Sequence, residues 1–183
     1  MILPVVVYGH PVLRKVGEDI TPDYPHLNEL IENMFQTMHN ADGIGLAAPQ
    51  VGLSIRMFVI DLSIMGNENP EFATFKKAFI NAQIVEKTGD DEFEEEGCLS
   101  IPNIRERVLR KNRVRIKYLD ENFEAHDEVY EGWIARVIQH EYDHIDGRLF
   151  VDLISPLRRR LIKNKLIAIS KGKISAGYKT KIA

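Results

Sequence analysis

His140-Glu141-Tyr142-Asp143-His144 sets the organisation of this 183-residue chain. On a helix, residues four apart project from one face, so the imidazoles of His140 and His144 can reach a single ion. Glu141, one position along, is placed to work on a water held by that ion. The competing reading is an ordinary polar surface helix. A catalytic site of this kind needs three protein ligands and one open position. No His or Glu follows His144, which leaves Asp146 and Asp152 as the downstream carboxylates. Upstream stands the only cysteine, Cys98, in Glu96-Gly97-Cys98-Leu99-Ser100. A lone cysteine forms no internal disulfide and is more often a small buried hydrophobe than a ligand. Here it follows the acidic run from Glu92 to Glu96 at a glycine, where backbone can pass close to an ion. Two imidazoles, one thiolate and an open water position make a coherent inner shell.

Periodicity places the motif within a fold. Leu27, Leu30, Ile31, Met34, Phe35 and Met38 recur at three- and four-residue steps, which predicts a helix over about residues 25–39. Asn40-Ala41-Asp42-Gly43 should end it, with Gly43 as C-cap. Strand-like runs follow over 56–61, 78–86, 105–109, 113–119 and 125–130, the fourth alternating around Val114, Ile116 and Tyr118. The motif helix should run from near 131 to 145, where Asp146-Gly147 stops it. Ser155-Pro156 opens a final helix as N-cap and first residue, with Leu157, Leu161, Ile162, Leu166 and Ile169 on its apolar side. Trp133, Arg136, Val137, His140 and His144 fall on or near one face of the motif helix. The arginine is unexpected on that wall; its methylene stem could line it with the guanidinium in solvent. The pattern is that of an α+β domain with antiparallel pairing.

At 44% hydrophobic residues, a chain of this length can bury one good core. A single domain is expected, with residues 1–154 as a catalytic body and 155–183 as a basic helix and tail. No run approaches the length of a membrane span. The N-terminal segment has no basic region before its apolar stretch and meets Pro4 early, unlike a secretory signal. One cysteine suits a reducing cytoplasm. The net charge of −3 hides an asymmetry: every acidic residue lies at or before Asp152, and nine basic residues lie after it. The tail is therefore +9 and the body −12, from fifteen basic against twenty-seven acidic residues. A solvated helix with a frayed basic end explains this plainly; an anchor for a polyanion explains it functionally.

Gly43 to Ala48 spells G-x-G-x-x-A, a dinucleotide-binding variant. A helix rather than a strand precedes it, and Pro49 would interrupt the helix it should open, so that reading fails. The same stretch carries a different resemblance. Gly43-Ile44-Gly45-Leu46-Ala47-Ala48-Pro49-Gln50, Glu96-Gly97-Cys98-Leu99-Ser100 and Gln139-His140-Glu141-Tyr142-Asp143-His144 closely resemble the three signature motifs of bacterial peptide deformylases. The blocks stand in the family's order, and the likeness runs from His10-Pro11-Val12-Leu13-Arg14 to about Asp152.

The resemblance implies small antiparallel sheets packed around a central motif helix, with helices near both termini. It implies hydrolysis of the formyl group from the N-terminal formyl-methionine of new polypeptides. Cys98, His140 and His144 would hold Fe²⁺, with Zn²⁺, Ni²⁺ or Co²⁺ as substitutes. Glu141 would move the proton, while the Gln50 side chain and the Leu99 N–H would face the oxyanion. Ile44, Gly45 and Gly97 would pair with an extended peptide as an added strand. Trp133 and Arg136 would border the pocket for the first residue, and Arg105 matches a family position near the substrate. Related enzymes use a C-terminal extension to reach the ribosome, though this tail does not match those extensions. Two departures fall away from the ligands: Ala82 follows Asn81 where proline is common, and Ile145 follows His144 where leucine is usual.

Two other functions compete. An endopeptidase would also use Glu-assisted metal hydrolysis, but the usual downstream third ligand is missing. A nucleic-acid-binding protein with a structural metal would normally close the fourth position with another Cys or His; only Cys98 is available, and Glu141 would then have no purpose. Neither a membrane nor DNA is expected as a partner.

Overall fold

A computed structural model describes residues 1–183. The strands are β1 (Val5–Val6), β2 (Gly45–Ala47), β3 (Met57–Asp61), β4 (Lys76–Cys98), β5 (Ile101–Leu119), β6 (Ala125–Glu131) and β7 (Thr180–Lys181). The helices are α1 (Leu27–Asn40), α2 (Gly132–Ile145) and α3 (Pro156–Ser170). Five strands form one antiparallel sheet in the order β2-β3-β4-β5-β6. This is an α+β fold. No helix is long and apolar enough to cross a membrane.

Strand β3 shows how the sheet is packed. Alternate residues of a strand point to opposite faces, and all five of its residues are buried. Phe58 and Ile60 join the core that α2 covers with Ile134, Ala135, Ile138, Tyr142 and Ile145. Met57 and Val59 join the core that α1 covers with Ile31, Met34, Phe35 and Met38. The motif helix is therefore buried from Ile134 to Ile145, apart from the half-buried His140, because it lies against one face of the sheet. A third cluster seats α3 through Ile162, Leu166 and Ile169 on Ile101, Ile104 and Val108 of β5.

The strands expected over 78–86, 105–109 and 113–119 belong to one long hairpin, β4 with β5. Charged residues facing solvent hid the continuity, and the register shifts between Ile80 and Gln83, Ile84 and Glu86, and Thr88 and Asp91 broke the alternation. Such bulges bend and twist a strand, so the hairpin curves around α2. Asn81 sits at the first shift in the left-handed region, φ 52°. Its side chain bonds both the N–H and the C=O of Ile20, each at 2.8 Å. Ala82, next to this clamp, and Ile145 are both fully buried in the core that α2 covers.

Other expectations need correction. The left-handed residue after α1 is Asp42, φ 55°, not Gly43. On α3, Leu157 and Leu161 are 64% and 60% exposed, so the apolar side is narrower than the sequence pattern suggested. Ser155 does cap α3, accepting from the Arg158 N–H at 3.2 Å. The basic end is not frayed: β7 pairs in parallel with β1, Val5 with Thr180 and Val6 with Lys181. Neither two-residue strand had a sequence signal.

Candidate metal centre and catalytic cavity

Cys98 is the last residue of β4, and Ile101, its partner across the hairpin, opens β5. The two-residue Leu99–Ser100 turn between them faces α2, which carries His140 and His144. One donor atom from each of Cys98, His140 and His144 lies within 4.8 Å of the others. Cys98 Sγ is 3.4 Å from His144 Nε2. A four-coordinate ion with bonds of about 2.0–2.3 Å holds its ligands roughly 3.3–3.7 Å apart, so the donors fit a divalent ion. Burial holds His144 well below the usual imidazole range, whereas Cys98 and Glu96, against the effect of burial, hold His140 well above it, so an ion bound there displaces a proton from His140. A neutral imidazole is the form that binds metal.

Behind His140 stands a buried charge network. His140 Nδ1 is 2.8 Å from Glu96 Oε1, which leaves Nε2 as the free donor. Arg110 grips Glu96 through Nε and Nη2 at 2.7 and 2.9 Å and reaches Asp143 through Nη1 at 2.8 Å. Arg136 Nη1 adds a third contact to Glu96 at 2.6 Å. Burial opposes the charge on Glu96, yet His140 and Arg110 hold its carboxyl well below the usual range. A carboxylate on the far nitrogen of a ligating histidine fixes the tautomer and the ring. Sequence reasoning passed over Glu96 and Arg110; the signal for Glu96 was its place two residues before Cys98. Asp143 orients the ligand only through Arg110. The Arg136 guanidinium does not reach solvent. It is buried and also bonds the carbonyls of Val108 and Glu92 at 3.0 and 2.7 Å, because the acidic residue it pairs with lies inside.

Glu141 is buried between the sheet and the cavity, and its Oε2 has no hydrogen-bond partner. Burial pushes its carboxyl up to about 7, against the pull of His140. Gly45 is what makes room for it: a Cβ there would stand 2.8 Å from the Glu141 carboxyl carbon and closer still to Oε1. Gly45→Ala is therefore expected to keep the fold but displace the carboxylate, and a misplacement of about 1 Å can cost on the order of 10²-fold in rate. Turnover measured per bound metal checks this, and wild-type turnover would show that Glu141 needs no such space.

A cavity of about 510 Å³ opens over these groups. Ile44, Gly45, Gly97, Arg105, Trp133 and Arg136 all line it, as do Gln50, Leu99, Cys98, His140 and Glu141, while His144 lies beneath its floor. Gly45 is on β2, the edge of the sheet. Beyond Ile80, β4 pairs with β5 alone, so Gly97 also has an unpaired side. Two open backbone edges thus border one cavity, as strand addition requires. Arg105 stands at the rim, exposed and 3.2 Å from Glu95. Gln50 sits in the 3₁₀ turn Ala48–Val51 after β2. Its Oε1 accepts from the Ala47 N–H at 2.9 Å, which turns Nε2 toward Ser100 Oγ at 3.1 Å and Cys98 Sγ at 3.5 Å. The Leu99 N–H takes part in none of the backbone hydrogen bonds made by turns and loops. Ala176 and Tyr178, from the C-terminal segment, complete the lining and were not foreseen.

Comparison with known proteins shows the family. The family model described as polypeptide deformylase matches residues 2–160. A peptide deformylase of Flavobacterium johnsoniae is 55% identical, covering 100% of this chain and 97% of its own length. The crystal structure of peptide deformylase from Thermotoga maritima superposes with a TM-score of 0.76 at 42% identity, covering 85% of this chain and 99% of that one. A Legionella pneumophila peptide deformylase gives 0.82 at 36% identity, covering 94% and 98%. The chain belongs to the polypeptide deformylase family, metal-dependent hydrolases that remove the N-terminal formyl group from nascent peptides.

Proposed function

We propose that the reaction runs in the cavity above Cys98, His140 and His144, with these three holding Fe²⁺ as the working ion. The observation that carries the reading is the buried Glu141 carboxylate, with one oxygen unpartnered, beside three convergent donors. When bound, the ion makes water acidic enough to supply hydroxide near neutral pH. Glu141 takes the proton of the water that attacks the formyl carbon and delivers it to the departing amine. Gln50 Nε2 and the Leu99 N–H donate to the oxyanion that forms, and fixed donors in a water-poor site are worth more than the same donors in solvent. Ile44, Gly45 and Gly97 bind the peptide backbone as an added strand. Trp133 and the Arg136 stem border the methionine side chain, and Arg105 meets the peptide beyond it.

The test is formate release from formyl-methionyl peptides by ferrous protein. Stoichiometric formate and no internal cleavage are expected; cleavage within the peptide would overturn the reading. The choice of iron has its own signature. A ferrous ion beside a thiolate oxidises readily, whereas imidazole and thiolate hold Zn²⁺ or Ni²⁺ as well. Ferrous protein should lose activity in air faster than the zinc or nickel forms, and equal lifetimes would remove iron as the working ion.

The setting we propose is the cytoplasm, where nascent chains emerge, with α3 reaching the ribosome. Arg158 is committed to Glu106 at 2.8 Å, but Arg160, Lys163 and Lys165 are exposed and form no salt bridge. Contacts of this kind release counterions, so affinity falls steeply with salt. Replacing these three by glutamine should lower co-sedimentation with ribosomes at low salt and flatten its salt dependence. Unchanged co-sedimentation would leave α3 as structure alone.

A further inference from the structure

The chain beyond α3 turns back over the catalytic cavity. It leaves the helix through Gly172, φ 67°, and Ile174 then packs beside the cluster under α3. Asn103 Nδ2 donates to the Ser175 carbonyl at 3.1 Å. Past the cavity, the segment is fastened again where Val5 N–H donates to Lys179 O at 2.9 Å and Val7 N–H to Lys181 O at 3.0 Å. Between these anchors, Tyr178 points its hydroxyl at the Leu99 carbonyl, 2.6 Å away. The strap itself, residues 172–181, lies outside residues 2–160, the span the family model matches.

The Leu99–Ser100 turn is held at Ser100 from the body of the protein. Ser100 O accepts from the Tyr8 N–H at 2.8 Å, and Ser100 Oγ accepts from Gln50. Tyr178 is the one side chain that bonds Leu99 O. The Leu99 carbonyl belongs to the Leu99–Ser100 peptide and the Leu99 N–H to the preceding Cys98–Leu99 peptide. In a two-residue turn closed by the Cys98–Ile101 pair the two peptides have few independent states, so freeing the carbonyl also loosens the peptide that carries the N–H. We propose that Tyr178 is a positioning residue: from the chain's own C-terminal strap, its hydroxyl holds the Leu99 carbonyl and, through the short turn, restrains the Cys98–Leu99 peptide, so that the Leu99 N–H is kept available to the cavity. The inference rests on the reading of Leu99 as an oxyanion donor. It makes the strap part of the active site, a wall supplied from beyond the span that the family model matches.

Tyr178→Phe removes the hydroxyl and keeps the ring that lines the cavity. In full-length, metal-loaded protein, kcat for formate release should fall roughly three- to tenfold with KM within about twofold, since a donor strengthened only in the transition state lowers kcat and kcat/KM together. A chain ending at Gly177 should lose at least as much kcat. Wild-type kcat in Tyr178→Phe would overturn the proposal, as would a loss confined to KM, which marks a groove contact only. A drop in metal content with kcat per bound metal unchanged would also overturn it. Gln50→Ala separates the two levels. If it costs kcat while Tyr178→Phe does not, the strap proposal alone fails; if Gln50→Ala keeps full kcat, the oxyanion reading beneath it fails.

Discussion

Glu141→Gln is expected to bind its metal normally and to lose roughly 10²–10⁴-fold in turnover, the usual range for general acid–base help. The amide has nearly the same shape, so the space that Gly45 leaves for it is still filled. It cannot accept a proton. The buried site also contains no obvious replacement, because Glu96 is already engaged by His140, Arg110 and Arg136 and Asp143 by Arg110. Metal content by elemental analysis and formate release on the same sample check the result. Near-normal turnover in a metal-replete variant would remove Glu141 from the mechanism.

Cys98→Ser should abolish stoichiometric metal binding and activity with it. Three protein ligands leave no redundancy, and a serine hydroxyl is a poor, protonated substitute for a thiolate. His140→Ala and His144→Ala should behave alike. Glu96→Gln provides the graded comparison: it leaves the three ligands in place and weakens the support behind His140 together with the pairing of Arg110 and Arg136, and loss of such support typically costs about 10–100-fold in metal affinity or activity. Full occupancy in Cys98→Ser, with normal activity, would sink the proposed shell.

The elements that carry the chemistry were readable because their signals are local. The spacing of His140 and His144 requires only a helix, and α2 runs to Ile145 as the Asp146-Gly147 stop implies. The apolar steps from Leu27 to Met38 likewise found α1. What escaped the sequence depends on distant partners. The acidic run before Cys98 reads as solvated charge until Arg110 and Arg136 bury Glu96 within it. Arg136 looked like a side chain reaching for water for the same reason. Strand β2 is only three residues of Gly-Leu-Ala, too short for periodicity, yet it forms the sheet edge at the cavity. Tyr178 lies seventy-nine residues from Leu99 along the chain and reaches it because Asn103 holds Ser175 and β7 is tied to β1. The charge pattern of the tail drew attention to its lysines and away from its tyrosine.

X-ray absorption at the iron edge of the ferrous protein tests the assignment of the metal centre most directly. One sulfur and two imidazole nitrogens in the inner shell are predicted, with the sulfur lost in Cys98→Ser. A shell of nitrogen and oxygen alone in the unaltered chain would contradict it.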